Sequence, residues 1–270
     1  MIVVTGSKRA GTSAWMQVLT AAGLPWIGER FPLDSARTLR AANPEGFFES
    51  ELVAGIYHAT NPHPVSGAYL APEATRRHVV KVFAPGLVRT DVAFLDHVVA
   101  TVRDWRASVI STRRLQRLLG TRAGDALAPA LQWWCDLHGL IRDLAIRGYA
   151  VHVVGFGALR RDPERVVTET LRWLGVEGPL DAAVAAVKPE LAGTQVDAPD
   201  GELLGAACRG LAPEIVATFD ALYDAIDRGH ALDASFVAHL GETDAMLRPL
   251  IREQHAAAEA AALADMLARR

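Results

Sequence analysis

The chain has 270 residues, half of them apolar and 22% charged, with a formal net charge of −3. That is enough chain for a real hydrophobic core, as one large α/β domain or a domain with a helical extension. It excludes a global basic field for nucleic acid, and no apolar run reaches membrane-spanning length without charges.

Ile2-Val3-Val4 is an unbroken β-branched run and predicts a first strand over 2–5, buried on both faces. Gly6-Ser7-Lys8-Arg9-Ala10-Gly11-Thr12-Ser13 follows, and then a helix over 12–22 ended by Gly23. A strand, a glycine-rich loop and a helix in that order turn backbone N–H groups and a helix N-terminus toward one point, where a phosphate sits well. The glycine spacing is that of a Walker A loop, but Thr12 stands where that motif has its lysine, and Lys8 and Arg9 lie inside the loop. The bland alternative is a corner that holds no ligand. Two adjacent cations and two hydroxyls favour an anion site. The N-terminal apolar run leads straight into this loop, so no signal peptide is expected.

Further along, Leu24 to Gly28 is a connector, and Asn43-Pro44-Glu45-Gly46-Phe47-Phe48-Glu49 reads as a turn before a helix start favoured by Glu49. Residues 60–76 are broken by prolines, with His63 a solvated loop residue, and residues 58–76 are candidates for an acceptor pocket. Residues 78–83 predict a second buried strand, in which Lys81 is costly unless it reaches solvent or an anion at the strand end. Val92, Leu95, Val99 and Val102 follow helical spacing and predict a helix over 90–104. Residues 107–112 then predict a strand ending at Arg113, with Thr121 eight residues on. Arg113 and its neighbouring arginines read either as a solvated basic face or as a ligand site at a strand end.

A helix over 124–148, carrying a packing His138, precedes a strand over 150–156 and a helix capped by Asp162 with Pro163 at its first position. From Pro179 the character changes to a linker and alanine-rich helices over 203–228 and 234–268. This divides the chain into a core, 1–178, and a helical extension packed on it, 179–270. Leu247, Leu250, Ile251, Leu263 and Leu267 form an apolar stripe that suits either a cover for the acceptor site or a homodimer contact. Cys135 and Cys208 lie far apart and predict free thiols in a reducing cytoplasm. The fold class expected is α/β: a mostly parallel sheet between helices, the three-layer sandwich of P-loop NTPases, with a helical C-terminal extension.

Arg9, Gly11, Thr12 and Ser13 resemble the 5′-phosphosulfate loop of sulfotransferases, roughly Pro-Arg/Lys-Ser-Gly-Thr-Ser/Thr, with Lys8 for the proline and Ala10 for the serine. Asn43, Pro44, Gly46, Phe47, Phe48 and Glu49 match an Asn-Pro-x-Gly-aromatic-aromatic-Glu segment of many bacterial members. Arg113 and Thr121 have the spacing with which such enzymes hold a 3′-phosphate, and Lys81 stands where relatives have Lys-Asp-Pro-Arg.

The resemblance covers roughly residues 1–175 and implies sulfuryl transfer from 3′-phosphoadenosine 5′-phosphosulfate to a hydroxyl or amine of a small-molecule or glycan acceptor, without a metal. It implies donor binding by Gly6, Ser7, Lys8, Arg9, Ala10, Gly11, Thr12, Ser13, Arg113 and Thr121. Arg9, Lys8 and Lys81 would serve catalysis and Glu49 would be the base, with His58 and His78 next in line. Ala10, Val82 and Ala158 depart from the family pattern. Two alternatives stay open: a P-loop phosphotransferase using ATP and Mg²⁺, and an inactive nucleotide-binding relative.

Overall fold

A computed structural model describes residues 1–31, 43–120, 127–188, 198–208 and 210–268. Five parallel strands form one sheet in the order β2-β3-β1-β4-β5. They are β1 (Ile2–Thr5), β2 (Trp26–Ile27), β3 (Val79–Lys81), β4 (His97–Val102) and β5 (Val151–Gly155). The register pairs Val4 with both Lys81 and Val99, and Val98 with Val151. All strands therefore end along one edge, where Gly6, Val82, Arg103 and Phe156 leave the sheet.

Alternate side chains leave a strand on opposite faces, and two apolar clusters follow from that. Ile2, Val4, Val79 and Val99 pack beneath α1 (Thr12–Ala21), α6 (Pro163–Trp173) and α7 (Leu180–Ala185). On the other face, Val3, Val80, Val98 and Ala100 join α3 (Trp105–Leu119), α4 (Pro129–Arg147), α9 (Pro213–Asp227) and α10 (Ala234–Ala268). Short helices α2 (Ala84–Leu87) and α5 (Phe156–Arg161) follow β3 and β5 directly, and α8 (Ala198–Cys208) lies against α3. The expected α/β sandwich is thus present. Residues beyond 179 contribute to both faces: Ala183 to one, and Phe219, Leu240 and Leu247 to the other.

Two expectations are reversed. Residues 90–104 are not a helix: a short turn at Val92–Phe94 leads into β4. Residues 107–112 are not a strand but the first half of α3. Val98, Val99 and Val102 suit a buried strand, and helical spacing was matched there by coincidence. Asp104 decides the start of α3, because its carboxylate accepts from Ala107 N at 2.8 Å and caps the helix. One long predicted helix over 203–228 is two, α8 and α9, because Pro213 opens α9 and cannot continue α8.

No helix among the described residues is long and apolar enough to cross a membrane. Cys135 and Cys208 are free thiols, and burial pushes the Cys135 thiol up to about 11.

Candidate anion-binding site

The loop between β1 and α1 is shaped by two close approaches. A Cβ on Gly6 would lie 2.4 Å from the carbonyl oxygen of Thr101, and one on Gly11 would lie 2.4 Å from the Phe156 ring. Gly11 also has φ of 102°, a left-handed conformation that glycine adopts without penalty. The loop is thereby pressed onto β4 and the start of α5. Thr101 Oγ1 donates to Ala10 O at 3.0 Å, so the buried Ala10 position is spent on packing and a backbone bond. Arg9 takes φ of 70°, uncommon for a residue with a side chain. Arg103 Nη1 holds it there by donating to Arg9 O at 3.2 Å.

One side of the loop gathers Lys8, Arg9, Ser13, Glu49 and Lys81. Lys81 ends β3 at 2% exposure and does not reach solvent. Its ammonium instead donates to Glu49 Oε1 at 2.8 Å, Phe47 O at 3.0 Å and Ser13 Oγ at 3.3 Å. The ammonium lies 5.1 Å from the centre of the Phe83 ring, and that of Lys8 lies 5.7 Å from it. Burial holds the Lys81 pKa down, opposed by Glu49 and assisted by the charges of Arg9 and Lys8.

Glu49 does not begin a helix. It forms an antiparallel bridge with Glu29, and Ser50 caps the short turn that follows. The segment 43–49 is a structural arm that lays a carboxylate and a carbonyl over Lys81.

The other side of the loop is built from α3. Arg9 Nε donates to Ser111 Oγ at 2.9 Å. Arg103, 6% exposed, leaves the end of β4 beside it. Burial, together with the charges of Arg9 and Arg160, pushes Arg103 down to about 10. The guanidinium also lies 5.4 Å from the centre of the Phe156 ring. Cations packed close enough to depress one another are an arrangement that an anion relieves.

Arg113 is not at a strand end. It lies inside α3, about 200° round the helix from Ser111 at 100° per residue, and donates to Gln116 Oε1 at 3.1 Å. Among the described residues, no hydrogen bond or ion pair joins it to the loop. Thr121 lies outside the described residues. The strand-end arginine is Arg103, and the hydroxyl eight residues later is Ser111. The signal that reveals them was present: the same spacing, one strand earlier, followed by the Asp104 cap.

His78 precedes β3 and so lies at the opposite end of that strand from Lys81. His63 pairs with Glu51 at 2.7 Å. His138 stacks on Trp134 and faces Asp244 at 3.1 Å, within the helical layer.

Asp136 on α4 is a residue that pattern reading did not single out. It is 6% exposed and shares a small void with Gly6, Ser7 and Thr101. Burial raises its carboxyl to about 6, against a bond from Gln132 at 2.6 Å and the charge of Lys8. Among the described residues, no three His, Cys, Asp or Glu side chains are grouped so as to hold a metal ion.

Comparison with solved structures finds similarity to the sulfotransferase domain from the Synechococcus PCC 7002 olefin synthase, at 15% identity and a TM-score of 0.41, over 91% of this chain and 94% of that one. No family model matches the chain. No curated protein matches it in sequence.

Proposed function

We propose that the chain transfers a sulfuryl group from 3′-phosphoadenosine 5′-phosphosulfate to a hydroxyl or amine. The observation that carries this reading is the bond from Arg9 Nε to Ser111 Oγ. It joins the glycine loop to α3, and the bond from Arg103 Nη1 to Arg9 O joins it to the corner after β4, so that two anion-favouring corners adjoin at the carboxyl edge of one sheet. Open α/β sheets bind ligands at that edge. A donor with phosphate groups at both its 5′ and 3′ positions suits two such corners.

In this reading the loop amides, Thr12 and Ser13 hold the 5′-phosphate, and Arg103 with Ser111 takes the 3′-phosphate in place of the Arg113 and Thr121 pair. The acceptor oxygen or nitrogen attacks sulfur in line. The new bond to sulfur forms as the bond from sulfur to the 5′-phosphate oxygen breaks, and the electron pair leaves on that oxygen. Arg9 and Lys8 offset the charge that grows there. Lys81 stabilises the sulfuryl oxygens, and Glu49 takes the acceptor's proton. Every one of these charges comes from the chain itself.

The test is calorimetric titration with adenosine 3′,5′-bisphosphate beside ATP–Mg²⁺. The expected result is micromolar or tighter binding of the bisphosphate without Mg²⁺, and weaker binding of ATP. Tighter binding of ATP–Mg²⁺ would replace this reading with a phosphotransferase. Bisphosphate binding without turnover of a phenol acceptor would favour an inactive relative.

A further inference from the structure

α4 is tied to the carboxyl edge of the sheet. Trp133 Nε1 donates to Arg103 O at 2.9 Å and fixes that turn of the helix against the end of β4. Asp136, one turn on, is 6% exposed. Gln132 Nε2, from the same helix, donates to its Oδ1 at 2.6 Å. Among the described residues, no further hydrogen bond and no ion pair reaches this carboxyl. A buried carboxylate ordinarily meets a cation or several N–H donors, and here one oxygen is unspent.

That carboxyl faces a small space. Asp136 lines a void of about 10 Å³ with Gly6, Ser7, Ala84, Thr101 and Trp133, which is room for one water-sized group. The ends of β1, β3 and β4 close round it, and Ala84 N donates to Gly6 O at 3.0 Å. Ser7 is half-buried and the other lining residues are buried, so the void meets the surface at the glycine loop. A group that enters there must be small and must donate. A hydroxyl would bond the oxygen but leave its charge unopposed, whereas an ammonium does both.

We propose that Asp136 anchors a primary ammonium group of the acceptor, so that the acceptor is a molecule with a protonated amine beside the hydroxyl that takes the sulfuryl group. This inference rests on the sulfuryl-donor reading above and names the acceptor class for that site. The ammonium sits behind Ser7 with its N–H groups on Asp136, and the rest of the acceptor stays on the loop side. Asp136 binds and orients, and no bond breaks at it. Burial raises its carboxyl to about 6, against the bond from Gln132 and the charge of Lys8 on the loop, so the anchor is charged above that pH.

The experiment is NMR titration of wild type and Asp136→Asn in saturating adenosine 3′,5′-bisphosphate. The probes are phenols carrying an amine on a chain of one to three methylenes, each beside the phenol with the matching alkyl chain. Thermal melts check the fold of the variant, which keeps the bond from Gln132. At pH 8 wild type should bind at least one amine about 10- to 100-fold more tightly than its alkyl partner, the worth of a hydrogen bond to a charged group. That preference should fall about tenfold between pH 8 and pH 5, as the carboxyl takes up its proton. In Asp136→Asn each pair should agree within about twofold at both pH values. Equal affinity within every pair, beside normal binding of the bisphosphate, would overturn the inference and leave the donor reading standing. A preference that survives in Asp136→Asn would also overturn it. A wild type that does not bind the bisphosphate would overturn the donor reading and this inference with it.

Discussion

Single side chains in the site carry charges that the fold opposes. Arg9 is pulled below its ordinary pKa by burial, against Glu49. Arg9→Ala should lower turnover by about 10²–10³ while leaving the melting temperature unchanged or raised, and near-normal turnover would remove Arg9 from the mechanism.

Glu49, the base of the proposed reaction, also has a structural part. Its side chain, 33% exposed, is the carboxylate partner of a lysine that is 3% exposed. Glu49→Ala should cost about 1–2 kcal/mol in urea unfolding at neutral pH, reduced by the solvent around the carboxylate. Adding Lys81→Met should restore most of that loss. A double variant no more stable than the single one would show that the ion pair is not the cause.

Asp136 makes a pH prediction. Its folded pKa of about 6 lies above its unfolded value, so the folded state holds the extra proton between about pH 4 and 6. The stability that this group contributes is present below that window and lost as pH rises through it. Asp136→Asn keeps the bond from Gln132 and should be more stable than wild type by about 2 kcal/mol at pH 8, with no advantage at pH 4. Equal stability at both pH values would show that the carboxyl is not desolvated.

Among the elements, the corner from β1 to α1 has the least tolerance. A methyl at Gly6 meets a backbone oxygen of β4 at 2.4 Å, and no rotamer can relieve that. Gly6→Ala should cost about 3 kcal/mol in chemical unfolding and weaken anion binding, because β4 must shift. Much of this element was legible in advance: β1, the loop, α1, α4, β5 and the Asp162–Pro163 cap all lie close to where local pattern puts them. The exchange of strand and helix across residues 90–112 shows the limit. Both stretches carry β-branched residues, and periodicity over a dozen positions fits either form. The strand is the run that finds β1 and β5 to pair with, and that is a tertiary fact.

At the scale of the molecule, the sheet is closed on both faces by helices drawn from the whole length of the chain. α9 sets Phe219 among Trp105, Trp133 and Trp134, so residues after 179 add to the apolar cluster on that face. Among the described residues, the last part of α10 stands apart. Gln254 still accepts from Ala128 N at 2.9 Å, but Leu263 and Leu267 are exposed. Deleting residues 256–270 should leave the melting temperature within about 2 °C of wild type, since almost no buried apolar surface is lost. Sedimentation of the two forms tests whether the stripe joins two copies: a dimer that becomes a monomer would show that it does.

The sequence by itself determined the glycine loop between β1 and α1, the parallel α/β character and the residues Lys8, Arg9, Glu49 and Lys81 as chemistry worth pursuing. Glycine spacing, helix caps and unbroken apolar runs act over a few residues and can be read in order. Only the tertiary structure decided that Lys81 is met by Glu49 and that Ser111 rather than Arg113 meets Arg9. Those contacts join residues 32 and 102 positions apart. They arise because parallel strands bring all their ends to one edge, whatever their distance along the chain.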